Sequence, residues 1–470
     1  MVDFRTEVKY LGVILDQKLT WNSHLKKVQS KAALALHTCR RLLVRNWGLR
    51  PKMILWSYMA IVRPMVTYAA AVWWPKTEQR AAQLQLQKIQ RLAYLSVTEA
   101  MRTCPTAALE AILDLLPLHL QVRKVAASSA ICLSHVTPMP TSRTGHMRIL
   151  ITDGLCDIAQ LPMDAMKTKF NFVRNYKTVY TDRETWAMRG PLFKRGALQW
   201  YTDGSKTAKS GTGAGISGPN YRASIFNALH LPGRNIGHQL LRQDQPKQRY
   251  ERRNNRHTNR QPSCGQGSHS LLCDSTLVCE CITKLKLLAE DNHVTLWWIS
   301  GHKGIKGNEE ADELAKKGAR SLLIEPEPWC GVNASYIKKH LTIWEDELKF
   351  SYWSDTRGLA QAKKFITYSP QRTRDLLSLD KRDLTTLVGL LSGHCQLKYY
   401  LNTIGKIEDD DCRFCMETTE TAEHIMCNCL AVGHLRQEFM GGILITPDQI
   451  RKLDPRRVVR FFKSLDLAQF

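Results

Sequence analysis

The chain has 470 residues at 43% hydrophobic content, enough to bury a core and to fill two to four domains of roughly 100 to 200 residues each, so a disordered chain is excluded. Its 67 Lys and Arg against 43 Asp and Glu leave a net charge of +24 spread along the sequence. Such a field suits a polyanionic partner, although charge alone fits equally well a basic protein with no specific partner. Met1 to Tyr10 carries charges where a signal peptide needs an apolar run. The expectation is therefore an intracellular protein of cytoplasm or nucleus, not secreted, whose 14 cysteines are thiols or metal ligands and not disulfides.

In chain order, Val8 to Leu15 reads as a short opening strand. Leu25, Val28, Ala32, Ala35, Cys39 and Leu42 then recur at three- and four-residue steps, one apolar helical stripe that leaves Lys26, Lys27, Lys31, Arg40 and Arg41 for solvent or phosphate. Further helices are expected over Pro51 to Ala71, with Pro at its first position, and over Arg80 to Leu95. Met53 to Trp74 approaches membrane-spanning length, but Arg63-Pro64 interrupts it. A mid-bilayer charge costs on the order of 2.5 kcal/mol or more, so a buried helix pair is expected and no membrane. Turn signals at Pro138, Pro140, Pro162 and Pro191 mark a linker over 126–195. Strand-like alternation begins at Ala197, and helices return after Ser335, among them Ile337 to Tyr352 and Arg374 to Leu391.

Two motifs bracket the strand-rich part: Trp200-Tyr201-Thr202-Asp203-Gly204-Ser205-Lys206, and Gly301-His302-Lys303-Gly304-Ile305-Lys306-Gly307-Asn308-Glu309-Glu310-Ala311-Asp312, preceded by the apolar strand Val294 to Ile299. They resemble the outer brackets of a ribonuclease H domain. Asn308 is a good N-cap, Ala311, Leu314 and Ala315 give a packing face, and Gly318 is a stop, so Asp312 is expected early in a helix. The resemblance implies that Asp203 and Asp312 are catalytic carboxylates and Mg²⁺ (or Mn²⁺) ligands, that His302 assists product release or proton transfer, and that Gly204, Ser205, Lys206 and Asn308 meet an RNA/DNA hybrid. Two cations roughly 3.5 to 4 Å apart need a dense set of carboxylates. The family places a Glu and a further Asp between the brackets. Here the Glu position falls at about Leu229, and Asp244, Glu251 and Asp274 stand in the wrong local setting. Leu229 to Cys273 shows neither helical nor strand periodicity and a heavy load of Arg, Gln and Asn, so residues 227–274 are expected to be disordered, the product of two compensating frame shifts. Family character resumes at Ser275 to Ile282, whose apolar positions 278, 281, 282, 285, 288 and 289 define an amphipathic helix.

Outside this module, Val8 to Asp16 with Leu19-Thr20-Trp21 and His24, then Tyr58, Val62-Arg63-Pro64 and Tyr68 to Trp73, resemble the thumb and helical extension of a non-LTR retrotransposon (LINE-type, Jockey-like) reverse transcriptase. The resemblance implies that the polymerase's Asp-Asp motif lies before Met1, so this chain is not expected to polymerise. Near the other end, Cys412-x2-Cys415-x8-His424-x4-Cys429 has the ligand types and spacing of a structural Zn²⁺ site, with Cys427 competing for the last place and ordinary core thiols as the alternative. With Leu391 to His394 and Leu401-Asn402-x2-Gly405 it resembles the C-terminal zinc knuckle of the same polyproteins, which implies single-stranded nucleic-acid contacts at Arg413 and Phe414.

The fold class expected is multidomain: a thumb-like helical N-terminal region (1–125), the linker (126–195), an α/β ribonuclease H-like domain with an incomplete mixed sheet (196–320), a helical region (321–405), the small Zn knuckle (406–432) and a tail (433–470). The expected function is a hybrid endoribonuclease module impaired in catalysis. A non-catalytic nucleic-acid-binding remnant is the alternative. The sequence leaves the oligomeric state open.

Overall fold

A computed structural model describes residues 5–41, 49–136, 145–166, 168–170, 173–179, 196–206, 212–227, 255–259, 272–299, 305–320, 331–332 and 334–465. They form two compact units, one from Met1–Leu155 with Leu341–Phe470 and one from Cys156–His340.

The opening segment of the first unit is a hairpin where a single strand was expected. β1 (Glu7–Tyr10) pairs antiparallel with β2 (Val13–Asp16). Leu11 and Gly12 between them both take positive φ, 44° and 87°, as a tight two-residue turn requires. α1 (Asn22–Arg41) buries Leu25, Val28 and Ala32 on the expected stripe and leaves Lys26, Lys27 and Lys31 exposed. From Pro51 the chain is helical to Thr67 through a widened turn at Tyr58–Val62. Pro64 accounts for that turn: its ring cannot donate to, and crowds, the carbonyl four residues back, and an extra residue relieves both. Trp73 and Trp74 are fully buried, and no helix among the described residues is long and apolar enough to cross a membrane. α2 (Arg80–Thr98), α3 (Thr106–Ile112) and α4 (Leu118–Val136) follow, the last running past the expected domain boundary.

The second unit contains β3 (Lys169–Phe170), β4 (Lys177–Val179), β5 (Leu198–Lys206), β6 (Thr212–Gly218), β7 (Tyr221–Asn227), β8 (Asn255–Asn259), β9 (Leu272–Cys273) and β10 (Thr295–Trp298). β3 and β9 pair by themselves; the main sheet runs β4-β10-β8-β5-β6-β7. β5, β6 and β7 form an antiparallel meander, and β8, β10 and β4 extend it in parallel from β5 outward. The expected linker thus supplies the outermost strand. Within the stretch expected to be disordered, Asn255-Arg256-His257-Thr258-Asn259 forms a central strand. It has no apolar alternation, so its pairing rests on the backbone ladder, which side-chain periodicity cannot reveal. The rest of that stretch up to residue 271 lies outside the described residues.

α5 (Thr276–Asp291) begins at Ser275, whose side chain accepts from the Val278 N–H and donates to Asp164 at 2.6 Å. α6 (Lys306–Arg320) covers β5, β6 and β7, and its close approach depends on glycines. A Cβ on Gly213 would overlap the backbone of Ala315 and Ala319, and one on Gly215 that of Ala311 and Ala315.

The helix expected at 337–352 is α7 (Ala334–Asp355). The one expected at 374–391 divides into α8 (Pro370–Leu376) and α9 (Lys381–Ser392), the second restarted by Asp380, which accepts from the Asp383 N–H at 2.8 Å. α10 (Lys398–Thr403) leads into the cysteine region. The expected tail is folded: α11 (Gly433–Met440), α12 (Pro447–Lys452) and α13 (Pro455–Ser464) bury Val458, Phe461 and Phe462. Both ends of the chain build this unit. Thr373 Oγ1 donates to the Ile112 carbonyl at 2.8 Å, Thr385 Oγ1 to the Thr98 carbonyl at 2.9 Å, and Lys381 pairs with Glu99 at 2.9 Å.

Candidate functional site

In the second unit, Tyr201 of β5 packs on Ile299 and Ala311, whereas Trp200 packs on Ile216 from the opposite face. Side chains alternate along a strand, so Asp203 shares the Tyr201 face, under α6. It is 1% exposed, and its Oδ1 accepts the Gly204 N–H at 2.8 Å. Its cross-strand partner Gly215 lies directly beneath the turn from Ala311 to Ala315, the turn that carries Asp312. The first and last brackets therefore meet on one face of the sheet. Asp312 is largely buried and pairs with Lys316 at 2.7 Å.

Other expected residues are placed less simply. Gly204 and Ser205 are half-buried on β5, and the Lys206 side chain lies outside the described residues, as do His302, Leu229, Asp244 and Glu251. Asn308 is not the N-cap. α6 starts two residues earlier, and the Ile305 carbonyl accepts the N–H groups of Asn308 and Glu309. Asn308 is 2% exposed and its Oδ1 has no hydrogen-bond partner among the described residues, an interior position and not one open to a hybrid. Gly307, inside the helix, lies so close to Tyr201 that a Cβ there would overlap its ring. Asp274 is exposed ahead of α5. The five residues of β8 contain no carboxylate, and among the described residues no third acidic, Cys or His group joins Asp203 and Asp312 in a set that could hold an ion.

In the first unit the C-terminal quartet does assemble. The ligand atoms of Cys412, Cys415, His424 and Cys429 all lie within 4.8 Å of one another. Cys412 Sγ is 3.9 Å from Cys429 Sγ, and Cys415 Sγ is 3.3 Å from His424 Nε2. A widened turn at His424–Asn428 closes with the Cys429 N–H donating to the His424 carbonyl at 2.8 Å. That five-residue step draws both ends of the His-x4-Cys spacing to the same point. Cys427, inside the turn, is buried and outside the set. Burial and then the neighbouring Cys412 push the Cys429 thiol up to about 12, while the backbone N–H of Glu417 leads the groups that hold Cys415 below the usual thiol range. Burial, then the nearby Arg436, holds His424 below the usual imidazole range, so its ring favours the neutral form that ligates metals.

Sequence reasoning missed the support of this loop. Glu420 is fully buried. Burial would raise its carboxyl, but bonds from the Arg413 side chain and from the Lys398 and Arg413 N–H groups hold it below the ordinary range. Arg413 Nε and Nη2 donate to it at 2.7 and 2.8 Å, so this guanidinium, expected on a phosphate, is committed to an internal carboxylate. The signal was available in the opposite charges at 413, inside the Cys412–Cys415 pair, and at 420, between that pair and His424. Phe414 is half-buried.

A ribonuclease H family model matches residues 273–320, the run from β9 through α6. The chain is 29% identical over 118 residues, 25% of its length and 12% of the relative's, to a 115 kDa protein in type-1 retrotransposable element R1DM of Drosophila melanogaster. It is 28% identical over 122 residues, 26% of this chain and 31% of the other, to a retrovirus-related Pol polyprotein from type-1 retrotransposable element R1 4 of Nasonia vitripennis. A third such Pol polyprotein, from element R1 of Bradysia coprophila, is 23% identical over 123 residues, 26% of this chain and 12% of that one. The chain matches these relatives over well under two thirds of their lengths. Together the matches support a LINE-type retrotransposon polyprotein with a ribonuclease H segment, the similarity to the relatives covering about a quarter of this chain.

Proposed function

We propose that this chain is the ribonuclease H module of a retrotransposon polyprotein, that it binds RNA/DNA hybrid, and that it hydrolyses the RNA strand poorly or not at all. The observation that carries the reading is the carboxylate pair. Asp203 on the central strand lies under the helix whose turn carries Asp312, which supports the nuclease reading, but the strand beside Asp203 ends in Thr258 and Asn259. Mg²⁺ would bring activation of water and stabilisation of the leaving oxygen. Among the described residues the site offers two carboxylates, one engaged with the Gly204 N–H and one with Lys316, and these do not make up a set for two such ions.

The C-terminal quartet does fit a structural zinc. Three sulfurs and one imidazole nitrogen converge, and Zn²⁺ bound there would fix the loop by which the knuckle meets single-stranded nucleic acid. With Arg413 engaged by Glu420, Phe414 is the better stacking candidate of the two.

Cleavage of an end-labelled hybrid in Mg²⁺ and in Mn²⁺, by the native chain and by Asp203→Asn, tests the proposal. Expected are equal, near-background rates with hybrid binding retained. Robust cleavage abolished in Asp203→Asn would establish a working nuclease in its place. Loss of binding altogether would remove the nucleic-acid reading.

A further inference from the structure

Behind the quartet, on α11, Arg436 is fully buried. Its Nη2 donates to the carbonyl of Cys429, itself a member of the quartet, at 2.7 Å and to the Ile425 carbonyl at 3.0 Å, and its Nη1 donates to the Ile443 carbonyl. The guanidinium carbon stands 6.0 Å from the centre of the Phe461 ring. Nε has no hydrogen-bond partner among the described residues. Among the described residues no carboxylate pairs with it, and the acidic groups that act on it are the Cys429 and Cys427 thiols. A dry guanidinium served only by neutral oxygens is costly, and natural folds keep one where an opposite charge repays it.

That charge is present once the quartet holds a metal. Three thiolates and a neutral imidazole around a divalent ion leave a single net negative charge, and Arg436 reaches the centre through the backbone of a ligand. We propose that Arg436 is the buried counter-cation of this metal centre and sets how tightly it holds zinc. The inference rests on the zinc reading of the quartet. It differs from a packing role, in which Arg436 would only tie three carbonyls together, because charge compensation depends on how many thiolates the centre contains.

The full-length chain is titrated with zinc against a competing chelator, as wild type, Arg436→Gln and Arg436→Lys, each with the native quartet and with Cys415→His. That last change swaps a thiolate for an imidazole at the more exposed end of the set and leaves the centre neutral. Circular dichroism of each chain with and without zinc reports folding. Arg436→Gln is expected to weaken zinc binding roughly tenfold or more with the native quartet, as losses of groups bonded to metal ligands do. In the Cys415→His background the same change is expected to cost less than about threefold, since only interacting sites break additivity. Equal losses in both backgrounds, or unchanged affinity in Arg436→Gln, would overturn the proposal in favour of packing. Should Arg436→Gln not fold, Arg436→Lys decides: it keeps the charge, so affinity within about fivefold of wild type is expected and a larger loss overturns the proposal. A wild-type chain that takes up no zinc overturns the zinc reading itself, an outcome visible before any Arg436 variant is compared.

Discussion

Glu110 of α3 is fully buried, and neither of its carboxylate oxygens has a hydrogen-bond partner among the described residues. Burial pushes its carboxyl from the ordinary 4.5 up to about 8, against the pull of Tyr352 beside it. The fold therefore keeps a proton that the unfolded chain releases above about pH 4.5. Stability from this group is full below that value, falls as pH rises toward about 8, and levels off beyond. Glu110→Gln, which mimics the protonated form, is expected to raise stability at pH 8 by on the order of 1–3 kcal/mol and to do little at pH 4. Thermal melts at both pH values check this, and an equal effect at each would sink it. Packing limits are as local: Gly215→Ala, whose Cβ would press on the backbone of Ala311 and Ala315, is expected to cost about 1–3 kcal/mol by chemical denaturation.

Among elements, those written in side-chain chemistry were legible. Cys281, Ile282 and Leu285 of α5 and Ala311 and Ala315 of α6 are buried where the spacing put them, and the four Cys and His side chains near the C-terminus come together. What escaped was set by backbone or by distant partners. The hairpin turn has Leu11 at its first position, where Asn or Asp would have announced it. β8 is polar throughout and is defined by its neighbours. α6 starts at Lys306, with Gly307 packed against Tyr201 from another element, so Asn308 misled as a cap. The folded tail, by contrast, did carry a signal that was passed over: Thr446-Pro447-Asp448-Gln449 forms a complete capping box at α12. Thr446→Ala is expected to lower the stability of the first unit by about 1 kcal/mol, read as a shift of the denaturation midpoint.

For the whole molecule, the surplus of 67 Lys and Arg over 43 Asp and Glu predicts that binding to a labelled hybrid, followed by fluorescence anisotropy, weakens at least about tenfold between 50 and 200 mM salt. A flat profile would show that phosphate contacts are not its basis. The first unit is also discontinuous, made from Met1–Leu155 and Leu341–Phe470 with the second unit's sequence lying between. During synthesis, α2 and α3 leave the ribosome before Lys381 and Thr373, which will donate to Glu99 and to the Ile112 carbonyl, have been made. At about 5–20 residues per second, those early helices wait on the order of ten seconds or longer for these bonds. For that interval the newborn N-terminal segment stands without its C-terminal partners, whereas the second unit, whose sequence is contiguous, awaits no later segment.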